Sequence, residues 1–520
     1  MRIGIDVGGT NTDAVLLDGQ LVLADTKAAT TQDVTSGIVD ALDALQRRRA
    51  FDPAAVTAVM VGTTHFINAI VEADRLAPTA ALRLGLPATR GVPPLVDWPD
   101  PLLKAARAQP YLCHGGHEFD GRLIAPLHHD ELRRAAEDMA VRGIRSVGIT
   151  SVFSPVNAEL EREAAATLTE VLPHLHVSLS HEIGRMGLLE RENATIVNAC
   201  LRELADHVCR GLTQTLREFG LTAPLYLSQN DGTLMDIDHA RRYPVATFAS
   251  GPTNSMRGAA FLSGLETCAV VDVGGTTSDV GIVAGGFPRE ATAEVSVSGV
   301  RTNFRMPDVL SVGIGGGSRI RERDGEVTVG PDSVGYRLRE QALVFGGDTV
   351  TATDLAVAGG LAEVGDPAPV RSLDRRVVRA GLELMATEVA GLVERMRTSP
   401  APLPVVLVGG GSILLPDRLP GAESVHRPDH FAVANAIGAA IAQVGGEVDR
   451  IFAVEPGRRD AVLDSAKQEA TDRVVAAGAA PHSVQIVEVD EVPIAYLPGN
   501  ATRIRVRAVG DLVLDTAGDR

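Results

Sequence analysis

The chain has 520 residues, too many for one ordinary hydrophobic core, so two or three domains are expected. Hydrophobic residues make up 45% and charged residues 22%, the balance of a globular protein in water. A net charge of −17 argues against a nucleic-acid or anionic-membrane surface, and no run reaches the roughly 18 apolar residues of a membrane span. The opening MRIGIDVGG enters a strand without a basic, apolar leader, and four scattered cysteines fit a reducing compartment, so a cytoplasmic location is expected. Aromatic residues are only 3%, with the single Trp98, so stacking should not dominate ligand binding.

In chain order, residues 3–5 and 14–17 are short apolar runs around a glycine turn. Helical spacing follows over 35–48, then a strand over 56–61 that ends at Gly62-Thr63-Thr64-His65. Residues 75–128 are rich in Pro and Gly and read as an irregular insertion with short strands. Helix 129–142, strand 146–152, helix 158–172 and strand 177–180 alternate as in an α/β sheet with helical crossovers. Residues 187–219 form a long helical stretch, and 225–228 with 233–235 flank a Gln-Asn-Asp-Gly turn. Near residue 265 the opening pattern begins again. A helix over 374–397, a strand over 404–408 and a helix of small residues over 432–444 follow, then a helix and two strands. The expected division is a first domain over 1–180 with its insertion at 75–128, a helical and hairpin connection over 181–264, a second domain over 265–450, and a small α+β tail over 451–520.

The phrase DVGGTNTD at Asp6–Asp13 recurs as DVGGTTSD at Asp272–Asp279. Each copy joins two apolar runs through a glycine turn, which is the pattern of a β-hairpin. A dinucleotide loop would open a helix instead. Consecutive Gly and Thr expose backbone N–H groups with no Cβ to block a phosphate. Gly8, Gly9, Thr10, Asn11 and Thr12, with Gly274, Gly275, Thr276 and Thr277, are therefore phosphate-binding candidates. Asp6 and Asp272 stand where a carboxylate holds Mg²⁺ through water. Asp13 and Asp279 close the loops, either orienting a Thr or a water or capping the turn. Turn chemistry alone does not require an Asp on both sides in both places, so the duplication points to a nucleoside triphosphate clamped between two halves.

Other segments add to this. Val406–Val408 enters Gly409-Gly410-Gly411-Ser412, where side-chain-free backbone lets a base or ribose lie close. Thr63, Thr64 and His65 end a strand near the expected cleft and are candidates for substrate or γ-phosphate contact. Gly316 and Gly317, inside Gly313–Ser318, form a second glycine loop on the substrate side. Cys113, His114 and His117 invite a metal reading, but the intervening glycines prevent helical pairing of the histidines; a polar loop is the alternative.

The order of hairpin, second hairpin, glycine loop and small-residue helix resembles the actin, hexokinase and heat-shock ATPase superfold. That resemblance implies two ribonuclease-H-like α/β domains facing each other across a nucleotide cleft. The strings VGTTHFINAI (61–70), ERENATIVNACL (190–201), ASGPTNSMRGA (249–259), VGIGGGSRI (312–320), VTATDLAVAGG (350–360) and VANAIGAA (433–440) are similar to the hydantoinase/oxoprolinase family. The first loop carries Asn11 where that family commonly has Phe, and the chain is shorter than the usual larger subunit, which marks a shorter branch.

The resemblance implies an ATP- and Mg²⁺-dependent subunit that phosphorylates the carbonyl oxygen of a cyclic amide or imide for ring opening. It also implies a second, small-type subunit as partner. Three alternatives use the same fold: a ketone carboxylase subunit, a small-molecule kinase, and an ATP-driven activator. A sugar kinase should show an Asp base in a sugar loop, and none is identifiable. A radical-dehydratase activator needs a cysteine-rich iron–sulfur motif, against which four scattered cysteines count.

Overall fold

A computed structural model describes residues 1–9, 11–29, 34–291, 295–494 and 500–513. Thr10, a candidate phosphate ligand, lies outside the described residues. No helix among the described residues is long and apolar enough to cross a membrane.

The protein is α/β and carries the ribonuclease-H-like pattern twice. In the first copy, strands Arg2–Val7 and Asn11–Asp18 form an antiparallel hairpin, Leu21–Ala29 extends it, and Ala58–Thr63 runs parallel on its other side. In the second copy, Cys268–Val273 and Ser278–Ala284 form the hairpin and Val405–Val408 is the parallel neighbour. The registers correspond: Asp6 pairs with Asp13, and Asp272 with Asp279.

Period-two alternation explains how the first strand is covered on both faces. Ile3, Ile5 and Val7 enter a core shared with helices Val34–Arg48 and Leu188–Glu218. Gly4, between them, faces the helix Ala434–Ile441, where a Cβ would lie 2.2 Å from the Ala436 carbonyl oxygen. Helix Ser250–Ser263 covers the matching face of the second sheet through Met256, Ala259 and Ala260. These two helices lie between the sheets and cross closely. A Cβ on Gly258 would meet the Ala434 carbonyl at 1.9 Å, and one on Gly438 the Asn254 carbonyl at 1.9 Å. Ala434 and Gly438 thus face the crossing, while Ala436 and Ala440 pack with Val15 and Leu17 of the first hairpin.

Several segments differ from their sequence patterns. Residues 75–128 contain strands Thr79–Leu86 and Gln109–His114, which join Ser146–Ser151 and His176–Leu179 in a separate four-stranded parallel sheet. The small-residue helix ends at Ile441 instead of continuing to 444, because Gln443 and Val444 pair with Thr233 and Leu234 as a strand. Sheet pairing overrides a weak local helix preference there. Strand Gln443–Ala453 then pairs with Ala501–Gly510, which pairs with Gln485–Pro493. The C-terminal α+β segment therefore extends the first sheet to nine strands, with helix Arg459–Ala476 packed on it.

Candidate active site

Both glycine turns close the same way. The Gly8 N–H donates to the Asn11 carbonyl at 3.0 Å, and the Gly274 N–H to the Thr277 carbonyl at 2.9 Å. Gly9, Thr276 and Thr277 are exposed, and among the described residues nothing lies within 4 Å of a Cβ placed on Gly9, so these turn residues are open to a ligand.

Beneath the tips, the four aspartates occupy equivalent places with different partners. Asp6 is buried and accepts from the Asn254 amide at 3.3 Å and the Asn435 amide at 2.9 Å. Asn435 also donates to Asp13 at 2.9 Å, tying the two carboxylates of the first hairpin together. Lys27, opposite Asp13 on the next strand, pairs with it at 2.6 Å. In the second hairpin Asp272 accepts from the Ser255 hydroxyl at 2.5 Å, and Asp279 from the Ser311 hydroxyl at 2.5 Å.

Burial pushes the carboxyls of Asp6 and Asp272 up to about 6. Neighbouring carboxylates add to this: Asp13 beside Asp6, and both Asp279 and Asp6 around Asp272. Asn254 and Ser255, adjacent on one helix, reach Asp6 and Asp272, and Lys27 of the first half lies 4.0 Å from the Cβ position of Gly410 in the second, so the hairpins face one another at short range. Burial also raises Asp13, against the pull of Lys27 and Asn435, and raises Asp279 against its bond from Ser311.

Each hairpin aspartate has a glycine on the adjacent parallel strand. A Cβ on Gly62 would sit 2.2 Å from Asp6 Oδ1, and one on Gly409 would sit 2.2 Å from Asp272 Oδ1. Gly409 also has φ +80°, which strains any other residue. Gly411 donates its N–H to the Val273 carbonyl at 2.7 Å, Gly410 is exposed, and the buried Ser412 hydroxyl has no hydrogen-bond partner among the described residues. The space beside Gly410 is bounded by Lys27, whose Cε is 4.0 Å from where a Cβ would be.

Thr63 and Thr64 lie against the first hairpin. The Thr64 hydroxyl donates to the Val7 carbonyl at 3.4 Å, and Thr63 Oγ1 lies 3.1 Å from His65 Nδ1. Gly316 and Gly317 are buried behind the second turn, donating their N–H groups to the Gly274 and Gly275 carbonyls at 3.0 and 2.7 Å. They buttress that turn from beneath.

Asn254, Ser255, Asn435 and Lys27 are absent from the sequence-based site. The first three lie within the strings 249–259 and 433–440, but only the crossing of the two helices reveals their aim. Lys27 carries no motif and is found only through its register with Asp13.

The chain is similar to known proteins along most of its length. Residues 2–172 match the hydantoinase/oxoprolinase N-terminal region, and residues 191–364 match the hydantoinase/oxoprolinase domain. The alpha subunit of caprolactamase from Pseudomonas jessenii is 26% identical over 468 residues, 84% of this chain and 65% of that protein. The gamma subunit of acetophenone carboxylase from Aromatoleum aromaticum is 27% identical over 397 residues, 69% of this chain and 53% of that one. This chain thus spans about half to two thirds of those relatives' length. The crystal structure of the ATP-dependent caprolactamase from Pseudomonas jessenii superposes with a TM-score of 0.80 at 19% identity, covering 98% of this chain and 87% of that one. The chain belongs to the hydantoinase/oxoprolinase family.

Proposed function

We propose that the chain is an ATP-dependent subunit that phosphorylates the carbonyl oxygen of a cyclic amide or imide, preparing the ring for hydrolysis. The observation that carries this is the pair of matched hairpins, whose Asp6 and Asp272 are bound by the neighbouring helix residues Asn254 and Ser255. An unstrained amide is a poor electrophile, and a phosphorylated oxygen can depart where the original could not. The N–H groups at the tips of both turns and Lys27 would bind the β- and γ-phosphates, the Gly8 and Gly274 N–H groups being already bonded within the turns, since phosphoryl transfer depends mainly on positioning and charge. Gly409–Ser412 would hold the nucleoside. Thr63, Thr64 and His65 would contact the substrate carbonyl, and Gly316 and Gly317 would shape the second turn.

Asp6 and Asp272 fit Mg²⁺: they are crowded carboxylates with raised pKa values, a state that a cation relieves. Bound through water, Mg²⁺ would supply positive charge to the phosphate oxygens. Asp13, held by Lys27 and Asn435, would fix the first turn, and Asp279 with Ser311 the second.

In the reaction, the carbonyl oxygen attacks the γ-phosphorus and the bond to the β-phosphate oxygen breaks, releasing ADP. Water adds to the activated carbon and the ring nitrogen leaves with a proton. A second water at that carbon releases phosphate, which carries the former carbonyl oxygen. Because the caprolactamase relative is named as a subunit, we assign the water steps to a partner of the small-subunit type.

The likeness to an acetophenone carboxylase subunit favours a second reading, in which a ketone is phosphorylated and a partner carboxylates it. One isotope experiment addresses both. Lactams labelled with ¹⁸O at the carbonyl are incubated with ATP, Mg²⁺ and the partner, and unlabelled ketones with the same components and ¹⁸O-bicarbonate, because a carboxylated ketone keeps its own oxygen in the β-keto acid while bicarbonate takes up the phosphoryl group. Label in phosphate from the lactam supports the first reading, and ketone-dependent label in phosphate from bicarbonate supports the second. Turnover that leaves phosphate unlabelled in both assays overturns both.

A further inference from the structure

The Cys-His-Gly-Gly-His segment resolves into two inward residues and one outward one. Cys113 is buried and packs into the hydrophobic core of the four-stranded sheet. His117 is also buried, and burial lowers its pKa. His114 turns the other way, toward the first turn of helix His129–Val141. Gly115 and Gly116, with φ of +144° and +97°, permit this change of direction at the end of the strand.

His114 meets two residues that the sequence places well downstream. Its Nδ1 is 2.8 Å from Glu131 Oε1, and His128 Nδ1 is 3.6 Å from the same oxygen. The two imidazole rings stack with centroids 4.4 Å apart, so both nitrogens approach the carboxylate from one side. One ligand atom from each of the three residues lies within 4.8 Å of the others. The other Glu131 oxygen accepts from the His114 backbone N–H at 3.0 Å, which fixes the carboxylate with Oε1 toward the imidazoles. Tetrahedral Zn²⁺ with bonds of about 2.0–2.2 Å separates neighbouring ligand atoms by roughly 3.3–3.6 Å, a spacing this cluster brackets.

A second observation concerns the open side. A cavity of about 450 Å³ adjoins the cluster, lined by His128, His129, Asp130, Glu131 and Arg134. The helix N-terminus bears partial positive charge that opposes a cation, and Asp130 and Glu131 in its first turn offset it. Three protein ligands leave the fourth zinc position to water or another small ligand, in contrast to the closed four-ligand structural sites.

We propose that His114, His128 and Glu131 bind one Zn²⁺-class divalent cation, its fourth position open to water or a small anion beside Arg134. The site lies outside the nucleotide hairpins, on the separate four-stranded sheet and its helix. It clips the end of strand Gln109–His114 to the start of the following helix across the glycine-containing segment between them.

The test uses the full chain, stripped with chelator and dialysed. Calorimetry with Zn²⁺ alone should show one saturable event per chain, and Co²⁺ should give the intense visible absorption of a four- or five-coordinate site. His128→Ala is a clean variant, because the His128 side chain makes no cap hydrogen bond to the helix. Glu131→Gln keeps an acceptor for the His114 N–H. Each should weaken Zn²⁺ binding at least tenfold and lose the Co²⁺ spectrum, and Zn²⁺ should raise the melting temperature of the wild type but not of the variants. Absence of a saturable event in the wild type, or unchanged binding in both variants, would overturn the site.

Discussion

Asn254 and Ser255 are consecutive residues on one helix, yet they donate to different halves of the protein: Asn254 to Asp6 and Ser255 to Asp272. The helix thereby couples the positions of the two hairpin aspartates. A shift of the helix relative to either sheet must break one bond or carry both carboxylates along.

Asp6→Asn and Asp272→Asn remove the charge that organises the phosphates. Each is expected to lower ATP turnover by about 10²–10³-fold, the usual loss when one preorganised charge-stabilising group is removed, with the fold intact by circular dichroism. Near-normal rates for both at saturating Mg²⁺ would refute the clamp.

The same substitution at Asp272 should have the opposite effect on stability. Its folded-state pKa is raised to about 6 by burial, while the unfolded value is about 3.9. A raised acid contributes stability below its unfolded pKa, and that contribution is lost as pH rises through its folded pKa. At pH 7.5, without nucleotide, Asp272→Asn should be more stable than wild type by about 1–3 kcal/mol, and the gap should close by pH 4. Denaturant unfolding at the two pH values measures it; a pH-independent difference would contradict the raised pKa.

Gly409 and Gly410 are adjacent but differently constrained. Gly409→Ala places a Cβ against Asp272 Oδ1 at a positive φ, whereas Gly410→Ala faces open space apart from Lys27. The first is expected to destabilise by about 1–3 kcal/mol and to lose nucleotide binding. Gly410→Ala should keep its melting temperature and change only nucleotide affinity. Equal thermal shifts in the two variants would remove the distinction.

Lys27→Ala separates phosphate recognition from base recognition. Lys27 pairs with Asp13 and borders the Gly410 loop from the opposite half. ATP affinity should fall at least tenfold while adenosine binding is unchanged, as read by calorimetry. A parallel loss of adenosine binding would show that the lysine holds the fold and not the phosphates.

Sequence patterns reached the hairpins because their signal is local: apolar runs flank a glycine turn, and an aspartate stands on each side. The Val405–Val408 strand was legible for the same reason, since all four of its residues are buried. The partners of the aspartates were not legible, because Asn254, Ser255 and Asn435 reach them through a helix crossing that no local pattern encodes. The inward turn of His117 and the outward turn of His114 depend on glycine dihedrals and were equally hidden. The place of residues 443–510 in the first sheet is a matter of long-range pairing, which a helix followed by two strands cannot announce.

That last pairing sets an order of events during synthesis. Strand Thr233–Asp236 is made early, but its outer neighbour Gln443–Ala453 emerges only after the whole second hairpin sheet has been completed. Until then its backbone N–H and C=O groups form an open edge, the kind that captures foreign strands. The second hairpin sheet can fold while the nine-stranded one waits. A chain ending at residue 442 would keep that edge open permanently, and self-association of this truncated form, absent from the full chain under light scattering, is the expected result. Monodisperse behaviour would mean that something else covers the edge. Self-association would instead show that residues far from the nucleotide hairpins guard solubility, extending late a sheet that the first residues had begun.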